Sequence, residues 1–238
     1  MPFSLFQRMP IQSSKGQIEL WMLTKFGMIF FIIALSAIVF MFQVNAKRQI
    51  CSDQTQVITS AIVGRIEQVL ESPAEDEQRA FAFPLALELG RDDRTRYLVD
   101  ITLFHDSGAN YETVRGDGKL IVNASPVGER TCERGSSIPF QNYMIHFENN
   151  PHRLLDDIST PPVRTSLHLS PSDRDLNSRS KYLIIIKCAN KYIPPGPAQE
   201  RHLWIQDCAN DNVNTCINLV TDNAINAIGI CGFPTPIP

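Results

Sequence analysis

The chain has 238 residues and a formal net charge of −3. That balance supplies no basic footprint for nucleic acid. The length leaves room for one sizeable domain beside any anchoring segment.

The leader contains Arg8 and Lys15 and reaches the junction Lys15-Gly16-Gln17, with Glu19 and Trp21 just beyond. Phe26 to Phe42 is an uncharged apolar run. A helix needs about 20 residues to cross roughly 30 Å of hydrocarbon, and extension from Leu20 to Val44 reaches that length. The extension includes Lys25, whose ammonium can snorkel to the headgroups, and Trp21, which suits the interface. Lys47 and Arg48 close the far end. A secretory signal peptide has a shorter core and an Ala-x-Ala-like site, which Gln43-Val44-Asn45-Ala46 does not provide. The run is apolar all round, which argues against a buried core helix and for a single membrane span over 17–45. The basic residues flank it on both sides and do not fix its orientation.

From 46 to 72 the pattern becomes amphipathic. Ile50, Val57, Ile58, Ala61, Ile62, Ile66, Val69 and Leu70 recur at helical spacing, with Cys51 near the edge of the stripe. Ser72-Pro73 ends the helix. Span and amphipathic segment together form one long stem, or else an anchor followed by a juxtamembrane coiled coil.

Over 76–238 the period shortens to two. Phe81, Phe83, Leu85, Leu87 and Leu89 alternate, with Pro84 marking an edge or a break. Gly90 to Arg94 reads as a polar turn, and Tyr97, Val99, Ile101 and Leu103 alternate again. Asp117-Gly118 predicts a hairpin turn between 111–114 and 119–122. Further strands are predicted at 143–147, 163–169, 182–188 and 202–206, with 182–187 as the best central strand. Residues 211–228 fit a helix by period and a loop by asparagine content. The fold class is therefore α+β: a long N-terminal helix, then a mainly antiparallel, sandwich-like β domain.

Six cysteines, Cys51, Cys132, Cys188, Cys208, Cys216 and Cys231, all follow the span. An even number confined to one side of a membrane points to disulfides in an oxidising, external compartment; six buried thiols is the alternative. Six cysteines allow 15 pairings, of which Cys208 with Cys216 is favoured by proximity. There is no Cys-x-x-Cys for a zinc ribbon or thioredoxin-type site. His105, His146, His152, His168 and His202 are scattered without ligand spacing, and His146 and His168 fall in strand-like runs. No Gly-x-Ser-x-Gly is present. Arg115-Gly116-Asp117 spells an adhesion tripeptide, but the predicted turn explains it better. Asn123-Ala124-Ser125 is an N-glycosylation sequon followed by Pro126. No catalytic, metal or cofactor set emerges, so neither an enzyme nor a bound cofactor is expected.

Lys15-Gly16-Gln17, a nearby carboxylate and an apolar helix resemble archaeal proteins with class III, type IV pilin-like signal peptides. The family pattern places Ser where this chain has Glu19 and Glu where it has Trp21. The resemblance implies a leader, 1–16, removed by a prepilin-type peptidase, with Gln17 as the new terminus and the helix retained for assembly. It implies a cytoplasmic N-terminus, an external C-terminal domain, and contacts with membrane lipid and with like subunits or other envelope proteins. Glu19 either neutralises the Gln17 amine of a neighbouring subunit or favours its own helix N-terminus. The expected function is a pilin-like structural or adhesive subunit of a cell surface. The alternative is a single-span envelope protein whose external β domain is a binding or stator-like module.

Overall fold

The computed structural model describes residues 14–89, 93–105, 115–128, 132–148, 166–175, 178–189 and 201–228. Residues 1–47 and 48–238 are two compact units.

Helix α1 runs from Ser14 to Glu71. In the first unit, every residue from Trp21 to Phe42 is exposed. An apolar surface of that size is unfavourable in water and favourable in hydrocarbon. The helix is long and apolar enough to cross a membrane. The Lys25 ammonium lies 3.9 Å from the centroid of the Trp21 ring, a cation–π pairing of two residues that suit a membrane interface.

In the second unit, α1 buries Cys51, Thr55, Ile58, Thr59, Ile62, Ile66 and Val69. These positions recur every three or four residues and form one stripe. The stripe differs from the predicted one. Cys51 lies in its line rather than at its edge, Thr55 and Thr59 complete it, and Ile50 and Val57 point outward. The two threonines are accommodated because their hydroxyls reach backbone carbonyls: Thr55 Oγ1 donates to Cys132 O at 2.8 Å and Thr59 Oγ1 to Gln56 O at 3.1 Å. Pro73 cannot continue the helix, and tertiary donors satisfy its last carbonyls. Tyr143 Oη donates to Leu70 O at 3.3 Å, and Lys187 Nζ to Ser72 O at 2.6 Å. Lys187 is only 4% exposed. Its burial pushes its pKa down, while the Glu77 carboxylate opposes that shift.

Among the described residues nine strands follow: β1 (Glu77–Ala82), β2 (Leu87–Glu88), β3 (Arg94–Thr95), β4 (Tyr97–His105), β5 (Arg115–Pro126), β6 (Arg134–Glu148), β7 (Ser166–Leu169), β8 (Tyr182–Ala189) and β9 (Arg201–Cys208). Helix α2 (Val213–Ile228) comes last. Strands β2 and β3 form a small ribbon, and the other seven form one sheet in the order β1-β8-β9-β6-β5-β4-β7. Among the described strands every pairing is antiparallel except β6 with β9.

The α+β class holds, but the layers are sheet and helix rather than two stacked sheets. Alternation on β8 and β9 shows why. Leu183, Ile185, Leu203 and Ile205 join the α1 stripe in one core. Ile184, Ile186 and Trp204 face the other way and join Cys216, Val220 and Ala224 of α2. Both faces of β8 are thereby buried, which its unbroken apolar run requires. It is an internal strand, while β6 holds the middle of the sheet. Residues 213–228 resolve as helix. Asn212 Oδ1 accepts a hydrogen bond from Asn214 N at 2.9 Å, so one of the asparagines that suggested loop is the N-cap.

Asp117-Gly118 is not a hairpin turn. It lies within β5, where the pairing with β6 shifts register between Gly116 and Gly118. Opposite that shift Asn142 has φ of 60°, a left-handed conformation that Asn tolerates better than most residues. A Cβ on Gly118 would lie 2.7 Å from Phe104 O. The glycine is therefore needed for close backbone approach at a β-bulge. The same correction removes the turn from Arg115-Gly116-Asp117.

Candidate functional site

Pro84 interrupts the alternating run after β1, and the chain from Pro84 to Glu88 crosses beside α1. Three contacts hold it there. Tyr97 Oη donates to Pro84 O at 2.7 Å, and Ser172 Oγ donates to Leu85 O at 2.7 Å. Gln54 acts as a backbone surrogate: Nε2 donates to Glu88 O at 2.5 Å, and Oε1 accepts from Glu88 N at 2.7 Å. Burial pushes the Tyr97 hydroxyl pKa up, so it remains a donor.

The result is a groove of about 550 Å³. Asp53, Gln54, Val57 and Ile58 of α1 form one wall, Pro84 to Glu88 the other, and Arg94 the end. Val57 and Leu85, 67% and 57% exposed, present apolar surface beside the charges of Asp53, Glu88 and Arg94. Arg94 and Glu88 approach at 3.9 Å, an exposed pair worth little to stability. Among the described residues the lining holds no His, Cys or Ser. Its chemistry suits recognition of an apolar side chain flanked by polar groups.

A second cluster arises on the sheet. The parallel register sets His146 beside Trp204. His146 Nε2 and His202 Nδ1 are 3.0 Å apart, and the His146 ring stacks on Trp204 with centroids 5.4 Å apart. His202 is 2% exposed. Burial, aided by His202, lowers the His146 pKa to about 4, so His146 is held neutral near pH 7. Among the described residues no three His, Cys, Asp or Glu side chains gather to hold a metal. His168 sits on β7 against Asp100 of β4. The sequence shows no spacing signal for the His146–His202 meeting, since the two residues are far apart in the chain and the parallel pairing joins them.

The other predicted positions fall as follows. Lys15, Gly16, Gln17 and Glu19 lie in the first turns of α1, whose backbone is helical from Ser14; their side chains lie outside the described residues. Asn123 is half-buried in the middle of β5, between Asp100 of β4 and Gly135 of β6. A Cβ on Gly135 would lie 2.2 Å from Asn123 Oδ1, so the Asn123 amide packs directly over that glycine. Cys208 and Cys216 form a disulfide that joins the end of β9 to α2. Cys188 is also disulfide-bonded. Cys51 and Cys132 are buried thiols. Cys231, His152 and the 111–114 strand lie outside the described residues, as does most of the predicted Gly90 to Arg94 turn. No family model, curated protein or solved structure matches the chain.

Proposed function

We propose that this chain is a membrane-anchored, pilin-like structural or adhesive subunit of a cell surface, cut after Gly16 by a prepilin-type peptidase. The observation that carries the reading is the division of labour within α1. Residues 21–42 are predominantly apolar and exposed on all sides, while 51–69 bury a single stripe against a β domain. The first part matches lipid, or the apolar surfaces of like helices; the second matches a folded head.

The Cys208–Cys216 bridge supports an external position for the domain, because disulfides persist in oxidising compartments. In this arrangement Lys15 holds the leader at the cytoplasmic face. Cleavage exposes the Gln17 amine, and Glu19 of a neighbouring subunit supplies its counter-charge at low local dielectric. The groove beside Val57 and Leu85 favours a second reading, in which the β domain of a single-span protein binds another envelope component.

Cross-linking in membranes separates the two. The wild-type chain is expected to form high-order products, and Glu19→Gln to lose them while retaining processing and insertion, because a buried amine would lack its partner. A wild-type chain that stays monomeric at every surface density would exclude the pilin-like reading and favour the binding module.

A further inference from the structure

We propose that Cys51 and Cys132 form a further disulfide, stapling α1 to the start of β6. The inference rests on the external placement of the domain argued above. Cys51 lies in the first turn of the unit that begins at Arg48, and Cys132 lies two residues before β6. Both are fully buried and belong to one core cluster.

Two contacts bring them together. The Thr55 hydroxyl lies 2.8 Å from Cys132 O and 3.1 Å from Cys51 O, which fixes the 132 backbone against the Cys51 turn. Cys132 Sγ lies 4.0 Å from Arg48 O. A helical side chain leans toward the N-terminus and covers the turn before its own Cα. The Arg48 carbonyl belongs to the turn that a side chain at Cys51 covers, which puts the Cys132 sulfur against that same turn.

The bond forms during folding by thiol–disulfide exchange. The two thiols lose two protons and two electrons, and the disulfide of an oxidised dithiol takes them up and becomes a dithiol. Burial afterwards shields the bridge from reductant. The bridge lies four residues beyond Lys47, the last residue of the span-bearing unit. Any pull on the anchor therefore enters the head at a position tied covalently to the sheet.

The test is non-reducing peptide mapping of the full chain from its native membrane, acid-quenched and alkylated under denaturing conditions. The expected result is a peptide pair joined through Cys51 and Cys132, two hydrogens lighter than the reduced pair, with neither residue alkylated. Alkylation of both while Cys208–Cys216 is recovered bridged would overturn the staple and leave the external placement standing. Alkylation of Cys208 and Cys216 as well would overturn both. In a Cys132→Ala chain, Cys51 is expected to become alkylatable; a Cys51 that stays blocked there has another partner, which overturns the pairing.

Discussion

Residues 21–42 of α1 expose apolar side chains around the whole circumference, whereas residues 51–70 bury one stripe and turn Asp53, Arg65, Glu67 and Gln68 outward. The backbone is helical in both stretches, so helix propensity does not separate them. The periodicity of the apolar residues does, because it reports the surroundings each stretch can tolerate. The first stretch has no polar face to offer water. The second has no apolar face to spare for lipid beyond isolated residues such as Val57.

The comparison can be broken by moving one type of change between the two stretches. Ile66 is fully buried against the sheet. Ile66→Ala is expected to destabilise the head by about 2–5 kcal/mol, the usual cost of removing a buried Ile side chain. Ile33→Ala, in the exposed apolar stretch, is expected to leave the urea midpoint of the head unchanged. Equal shifts for both would mean that the two stretches do not belong to separate environments.

A charge tests the other side of the contrast. Ile33→Asp places a carboxylate near the centre of the span, at a cost of about 2.5–3.5 kcal/mol to insertion. The fraction of chain resisting alkaline extraction is expected to fall while the head keeps its denaturation midpoint. An unchanged membrane fraction would show that residues 21–42 do not cross lipid.

The head carries a smaller, pH-dependent signature that the span lacks. Folding lowers the His146 pKa to about 4, below its ordinary value of about 6.5. The unfolded chain therefore binds the proton first. Stability is undiminished by this group above about pH 6.5, and it falls as the pH drops toward 4, by at most about 2–3 kcal/mol for a half-buried imidazole. His146→Gln is expected to flatten the difference between denaturation midpoints at pH 7 and pH 5. If wild type and variant show the same slope, the His146 imidazole is not held neutral.

Much of the architecture was legible because burial imposes a period. Tyr97, Val99, Ile101 and Leu103 alternate in sequence and are all buried on β4. Ser72-Pro73 marks the end of α1, and Pro84 marks the break between β1 and β2. Short-range closure made Cys208–Cys216 the favoured pair, and the structure forms it.

What was not legible depends on non-local pairing. Asp117-Gly118 carries a hairpin signature, but the same residue types serve a bulge, and only the opposing strand decides between them. Thr55 and Thr59 add nothing to the apolar periodicity, yet carbonyl acceptors let them enter the stripe. The groove depends on Gln54 meeting Glu88, a contact without a periodic or motif signal. The proposed cleavage at Lys15-Gly16-Gln17 is different again, because recognition by a peptidase would leave no trace in folding.

The central claim is that the leader is removed and the apolar helix retained. Mass spectrometry of the N-terminal peptide from protein extracted from its native membrane tests it most directly. The account predicts Gln17, as the amine or cyclised, at the mature terminus. An intact terminus at Met1 or Pro2 would contradict processing and reduce the chain to an anchored β domain.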